Sequence, residues 1–304
     1  MKSLCGNNLE TPFVTAIGQT TAKNTYTEWQ TDNLASANAQ NKQVEGADLA
    51  NESRQPTVRV GNYTQIMTKV VGTSTTDRAV HNAGRGDEHA YQLARAGQEL
   101  KRDIEARFTG NFAAIPGDGA VVARETAGAL AWLRSNAHRG DGGANPVMSG
   151  GDNGSGYPTT AATAGKARLY TEALLKEVLG DIWVSGGQPN MVITSLKLKQ
   201  TAAAFPGLAS NRRDTGDQKA RIIAGADIYV SDVGEVQFVP DRFCDNSSAL
   251  VIDPEYWSVA TLDPIQKRSL ATTGLADRDA LYTEIALRCH NEATSGVLAD
   301  LSAA

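Results

Sequence analysis

The sequence predicts an α+β protein, and three observations carry the prediction. Residues 87–109 form the longest uninterrupted helical pattern, residues 281–290 alternate along one long strand, and residues 166–240 switch repeatedly between helix and strand. In the helix, Leu93, Gly97, Leu100, Ile104 and Phe108 recur at steps of three and four, so they share one face. Asp87 and Glu88 fall in the first turn and Arg107 in the last, as the macrodipole favours, and Gly110 stops the helix. Arg95 with Glu99, Lys101 with Glu105 and Asp103 with Arg107 lie four apart, each pair stabilising by about 0.2–0.5 kcal/mol. At 1.5 Å per residue the helix spans roughly 35 Å. An apolar stripe of that length needs a long partner. The strand, at roughly 33 Å, is the natural one. It puts Leu281, Thr283, Ile285, Leu287 and Cys289 on one face, and Gly97 is the expected point of close approach.

Composition narrows the function classes. The 304 residues suffice for one large domain or two ordinary ones, but only 41% are hydrophobic and 6% aromatic, so core material is not abundant. A net charge of −5 argues against a basic nucleic-acid binder. Three widely spaced cysteines, Cys5, Cys244 and Cys289, suit a reducing compartment better than a disulfide framework. The first residues lack the apolar core of a signal peptide, and no run approaches the roughly 20 apolar residues of a membrane span. A soluble protein made inside a cell, with no membrane contact, is expected.

Taken in order, residues 1–24 show no period and are expected to be an arm, disordered or ordered against something else. Residues 25–31 and 57–71 read as two strands rich in β-branched and aromatic residues, joined by a polar tip at 32–56 with no core of its own. After the long helix, residues 122–137 read as a second amphipathic helix with Leu130, Trp132 and Leu133 in the core. Residues 138–165, eight of them glycine, read as a domain boundary or a mobile loop. Helices are then expected at 166–179 and 195–205, the second capped by Thr194 or Ser195. Strands are expected at 189–194, 226–231, 236–240, 249–253, 256–262 and 281–290, with a last one at 296–301.

No catalytic or metal constellation emerges. His81, His89, His138 and His290 are isolated, and adjacent strand residues Cys289 and His290 point to opposite faces. Gly165-Lys166 lacks the first glycine and the final hydroxyl of a phosphate loop. Residues 152–155 lack the bidentate glutamate of a calcium loop, and 154–156 lack the first glycine of a nucleophile elbow. Asn51, Asn62 and Asn246 head glycosylation sequons that stay inert in a cytosolic chain. No cofactor and no metal are expected, and the missing signatures favour a structural role.

The order of elements (polar arm, long hairpin, long helix, glycine-rich link, α/β unit, long strand, terminal strand) resembles the major capsid protein fold of tailed bacteriophages, which is shared by herpesvirus capsids and encapsulin shells. The stretches that carry the resemblance are TEWQTDN at 27–33, RVGNYTQIMTKVVGTS at 59–74, GDEHAYQLARAGQELKRDIEARF at 86–108 and ALYTEIALRCHNEATSGVLADL at 280–301, about a quarter of the chain spread along its length. The resemblance implies an N-terminal arm at 1–24 and an extended β-hairpin loop at 25–74. It implies a peripheral domain at 75–150 with the spine helix 87–109, and an axial domain at 151–248. Peripheral-domain strands would follow at 249–293 and a strand returning to the axial domain at 294–304.

The implied function is a subunit that assembles with itself into pentamers and hexamers of an icosahedral head around double-stranded DNA, touched non-specifically. Decoration, portal and scaffolding proteins are the further partners implied, and the virion, assembled in the host cytoplasm, is the implied location. An unburied hairpin fits, because such a chain completes its core with neighbours. Trp29 and Tyr63, for which no local core is visible, are expected at contacts between subunits. The tip charges Lys42, Glu45, Asp48, Glu52 and Arg54 are candidates for intersubunit salt bridges, with a solvated tip as the plain alternative. An encapsulin-like compartment shell is the near alternative. A cytosolic enzyme using Asp181, Asp227 or Asp232 is the alternative of another class.

Overall fold

Two sheets organise the chain. The computed structural model describes residues 10–32, 34–48, 56–80, 87–205, 228–271 and 274–303 (without the side chains of 78, 79 and 152). Expectations for His81, Glu52, Arg54 and Asp227 fall outside these residues. The first sheet has four strands in the order Gly18–Thr21, Trp257–Ser269, Ala276–Cys289 and Gln65–Ser74. The second has six, in the order Ile228–Ser231, Gly234–Pro240, Met191–Thr194, Ala249–Ile252, Gly296–Leu298 and Ala137–His138.

The long helix runs Glu88–Thr109 and lies on the first sheet. Asp87 precedes it as the N-cap, its carboxylate accepting from the backbone N–H of His89 (2.9 Å) and Ala90 (3.3 Å). Leu100, Ile104 and Phe108 are buried, joined by Ala96, while Leu93 is half-buried at the edge. Full burial of side chains of this size stabilises by about 1.5–3 kcal/mol each. The principal neighbour of the stripe is Gln65–Ser74, through Met67 and Val71. The expected partner strand, with Leu281, Ile285 and Leu287, lies alongside as the next strand in. That strand extends over Ala276–Cys289, and its expected inward residues Leu281, Thr283, Ile285, Leu287 and Cys289 are all buried. The expectation for Gly97 needs correction. A Cβ there would meet only Leu281 Cδ1, at 3.8 Å, so a methyl group fits and no close backbone approach requires glycine. The close approach is at Gly128 instead, where a Cβ would stand 2.2 Å from the Gly110 carbonyl oxygen and 2.7 Å from that of Arg107.

The arm is not free of the subunit. Pro12–Ala16 is a short helix whose Phe13 and Val14 are buried, and Phe13 meets Trp257 edge-on with centroids 5.9 Å apart. Gly18–Thr21 then joins the first sheet, parallel to residues 258–261. Sequence periodicity is silent here because one turn of helix and four strand residues are too short to show a period.

The hairpin strands are Tyr26–Thr31 and Val58–Tyr63, paired antiparallel from Tyr26 with Tyr63 to Thr31 with Val58. The expected second strand is in fact two. Thr64 breaks it, donating its N–H to the Thr25 carbonyl (2.8 Å) and its hydroxyl to Glu284 (2.6 Å), and Gln65 then enters the first sheet. Residues 122–137 do not form one helix. Only Ala129–Trp132 is helical, because Glu125 pairs its backbone with Ile115 and Gly128 sits on the end of the long helix; Leu130, Trp132 and Leu133 are nevertheless core residues. The glycine-rich stretch is packed rather than loose. Gly156 exchanges backbone hydrogen bonds with Arg59 and Gly61 (both 2.8 Å), and Gly140 donates to Asp300 (2.9 Å).

Outside the second sheet, the helix expected at 166–179 is shifted. Arg168–Leu169 is a strand paired with Leu301–Ser302, and Thr171 caps a helix over Glu172–Val184. The next helix is Leu196–Ala202, with Ser195 at its N-cap position. Ala249–Ile252 pairs with Met191–Thr194 and Gly296–Leu298, so residues 249–252 belong to the second sheet and not with the strands that follow.

Gly97→Ala is expected to stabilise the protein by about 0.5–1 kcal/mol, since glycine costs that much inside a helix and the added methyl makes only an ordinary contact with Leu281. Thermal unfolding should show a rise of about 1–3 °C in Tm; a fall would mean that the helix and Leu281 cannot share the extra volume.

Candidate assembly interface

The hairpin is built in two parts with opposite character. At its base, alternation turns Thr27, Trp29, Val60 and Asn62 inward. Asn62 is the clamp. Its amide nitrogen donates to the Leu287 carbonyl (2.8 Å) and the Thr126 hydroxyl (2.9 Å), and its amide oxygen accepts from Ala127 N–H (3.0 Å). The residue is fully buried, so these bonds bind the hairpin to the first sheet and to the segment before residue 129. Sequence reading saw in Asn62 only an inert sequon; the one available signal was an amide set within a β-branched run.

Trp29 has a local core after all. It is 7% exposed, its ring lies 5.5 Å from that of Trp132, and the Arg288 guanidinium stands 5.0 Å over its centroid. The reason for expecting it between subunits therefore fails. Tyr63 is half-buried in a cluster of three phenols, its ring 4.7 Å from Tyr26 and 5.0 Å from Tyr157. Burial pushes the Tyr26 phenol up to about 12 and raises that of Tyr63 as well, so both stay neutral.

The tip is the reverse. Every described residue from 34 to 48 is exposed, including Leu34 at 99% and Val44 at 80%. Lys42, Glu45 and Asp48 are exposed, and no described residue of the chain pairs with them.

The charges of the long helix, by contrast, are largely used within the subunit. Of the three expected pairs only Arg95–Glu99 forms, at 3.1 Å. Asp103 instead meets Lys69 from the neighbouring strand (2.7 Å). Arg107 binds Glu125 (2.8 Å) and the carbonyls of Thr126 and Ala113. Glu105 is buried and accepts from the backbone of the arm, at Phe13 N (2.6 Å) and Val14 N (3.0 Å). His89, isolated in sequence, joins a buried chain: Thr73 hydroxyl to Nδ1 (2.9 Å), and Nε2 to Asp279 (2.8 Å). His89, Lys267 and Ser269 together hold the Asp279 carboxyl well below the usual carboxylate range. Thr73 is 4% exposed, so this chain ties the start of the helix to the far end of the sheet and faces no substrate.

Of the carboxylates considered for catalysis, Asp181 and Asp232 lie among the described residues, on different elements. Asp181 binds His138 on an open surface (2.6 Å), and Asp232 sits in the turn before Gly234–Pro240. Among the described residues no three His, Cys, Asp or Glu side chains are grouped to hold a metal.

A long helix on one sheet, a second sheet built from both halves of the chain, and a clamped hairpin with a naked tip define the tailed-phage capsid fold. The capsid asymmetric unit of cyanophage A-1(L) shares it, with a TM-score of 0.66 at 11% identity over 96% of this chain and 93% of that one. The encapsulin SrpI of Synechococcus elongatus shares it with a TM-score of 0.56 at 13% identity, over 100% and 92%. A curated relative described as the major capsid protein of Escherichia phage Phieco32 is 27% identical over 325 aligned residues, covering 95% of this chain and 89% of the relative. The chain belongs to the SU10 major capsid protein family, whose model matches residues 7–302. It is thus a structural protein of the virion capsid and not an enzyme.

Trp29→Ala is expected to cost about 3–5 kcal/mol, as for other buried tryptophans. Denaturant unfolding and soluble yield should both drop, whereas Lys42→Ala and Asp48→Ala leave them unchanged. A Trp29→Ala subunit of normal stability would return this residue to the interface.

Proposed function

We propose that the chain assembles into the pentamers and hexamers of an icosahedral head that encloses double-stranded DNA, in the host cytoplasm. The observation that carries this reading is the hairpin tip. Residues 34–48 expose Leu34 and Val44 and make no core of their own, while the base beneath them is clamped. Such a segment gains its burial from neighbouring copies, and a repeated interface closes into a shell by symmetry. Lys42, Glu45 and Asp48, with Glu52 and Arg54, carry the polar part of that contact; Tyr63, half-buried at the base, adds an aromatic edge to it. A subunit of net charge −5 surrounds DNA without holding it tightly, which suits packaging and release. The 27% identical relative favours a phage head over an encapsulin-like compartment. Portal, decoration and scaffolding proteins are the partners such a head would recruit.

Negative-stain electron microscopy of the expressed protein should show closed particles of uniform size. A subunit that stays monomeric under all assembly conditions would overturn the reading. Paired charge reversals at Lys42 and Asp48 should lower the yield of particles several-fold with the subunit's melting unchanged; sedimentation showing undiminished shells would remove these charges from the interface.

A further inference from the structure

The most unusual chemistry in the chain lies where the arm meets the long helix. Glu105 is fully buried, and among the described residues no ion pair compensates it. Its two carboxyl oxygens accept the backbone N–H groups of Phe13 and Val14, the first turn of the arm helix. A second carboxyl, Asp241, 3% exposed in the turn after Gly234–Pro240, is near enough to push that of Glu105 up. Its Oδ1 accepts from Phe243 N–H (3.0 Å), the backbone N–H groups of Arg242 and Cys244 and the Thr109 hydroxyl also favour its charged form, and burial nevertheless pushes its carboxyl up.

Among the described residues no cation pairs with either carboxyl, and Arg242, next to Asp241, is exposed. The arm helix Pro12–Ala16 carries no charge, and Glu10 before it and Lys23 after its strand are exposed. On the long helix, Lys101 lines a small apolar cavity with Thr11 and Val14 and makes no ion pair with Glu105, while Arg102 points its guanidinium over the Phe243 ring (5.6 Å). The first sheet presents Trp257 and Val259. The loop after Asp241 presents Cys244, whose thiol burial keeps protonated, and Asp245, which is bonded to Ser247 and Ser248.

We propose that this carboxyl pair is a pH-gated latch for the N-terminal arm: the arm stays docked while the pair carries at most one charge, and leaves its groove when both groups are ionised. Two buried carboxylates without a cation repel each other and cannot both be solvated in place. Releasing the arm opens the groove, exposes Glu105 to water and relieves the strain, at the expense of Phe13 and the four-residue strand pairing.

The sign follows from the same burial. Desolvation first, and Asp241 in addition, push the Glu105 carboxyl up to about 8, well above its value in an open chain. Its contribution to docking is therefore complete below the unfolded value, near pH 4.5, and is lost as pH rises through about 8. Above that point the open population of the arm grows about tenfold per pH unit.

Hydrogen exchange of the full-length protein between pH 6 and 9.5, corrected for intrinsic rates, tests the latch. Protection of the amides of residues 13–21 should fall at least tenfold above pH 8 relative to amides of the long helix. Glu105→Gln should flatten this dependence. Asp241→Asn, which leaves both Glu105 bonds to the arm intact, should flatten it too, and serves where the glutamine variant folds poorly. A wild-type arm whose protection is level across the range, or a transition of unchanged size in Asp241→Asn, would overturn the proposal.

Discussion

Everything else in the subunit depends on burying Leu100, Ile104 and Phe108 of the long helix beneath a sheet whose strands come from distant parts of the chain. Met67 and Val71 arrive from before the helix; Leu281, Ile285 and Leu287 arrive from near the other end. The stripe cannot be covered until residues more than 170 positions downstream of the helix are in place, so the first sheet closes late and cooperatively. The second sheet repeats the arrangement: Gly296–Leu298 pairs with Ala137–His138, more than 150 positions away, and inserts it beside strands that lie between the two in sequence. Both sheets thereby sew the two ends of the chain into one body.

Long regular elements were legible in the sequence because their period repeats often enough to be read. The helix at 88–109 and the inward face of 281–289 are of this kind. The stretch from 122 to 137 shows the limit. Its helical pattern is real, but the pairing of Glu125 with Ile115 and the seat of Gly128 on the helix end outweigh local propensity, leaving one turn. The charges on the helix were misread for a related reason. Spacing of four identifies neighbours on one helix, yet Asp103, Glu105 and Arg107 found better-placed partners on other elements, which spacing cannot see.

The candidate interface was half legible. That the tip at 34–48 has no core follows from its composition, and the exposure of Leu34 and Val44 agrees. That the base does have one could not be read, because the partners of Trp29 come from two distant places: Trp132 from the helical turn, and Arg288 and His290 from the end of the long strand. Asn62 is the extreme case. A polar side chain in a β-branched run looks like a surface residue until Thr126, Ala127 and Leu287 are known to converge on it.

The clamped base has a mechanical consequence for the naked tip. A tether fixed by Asn62, by the Trp29–Trp132 contact and by a cluster of three phenols is held at its root. Fixing the root before assembly lowers the freedom that remains to be surrendered on meeting a neighbour. Curvature of a shell built from such parts would be written into the angle at which residues 26–31 and 58–63 leave the first sheet. Substitutions at that root would bend the particle rather than merely weaken it.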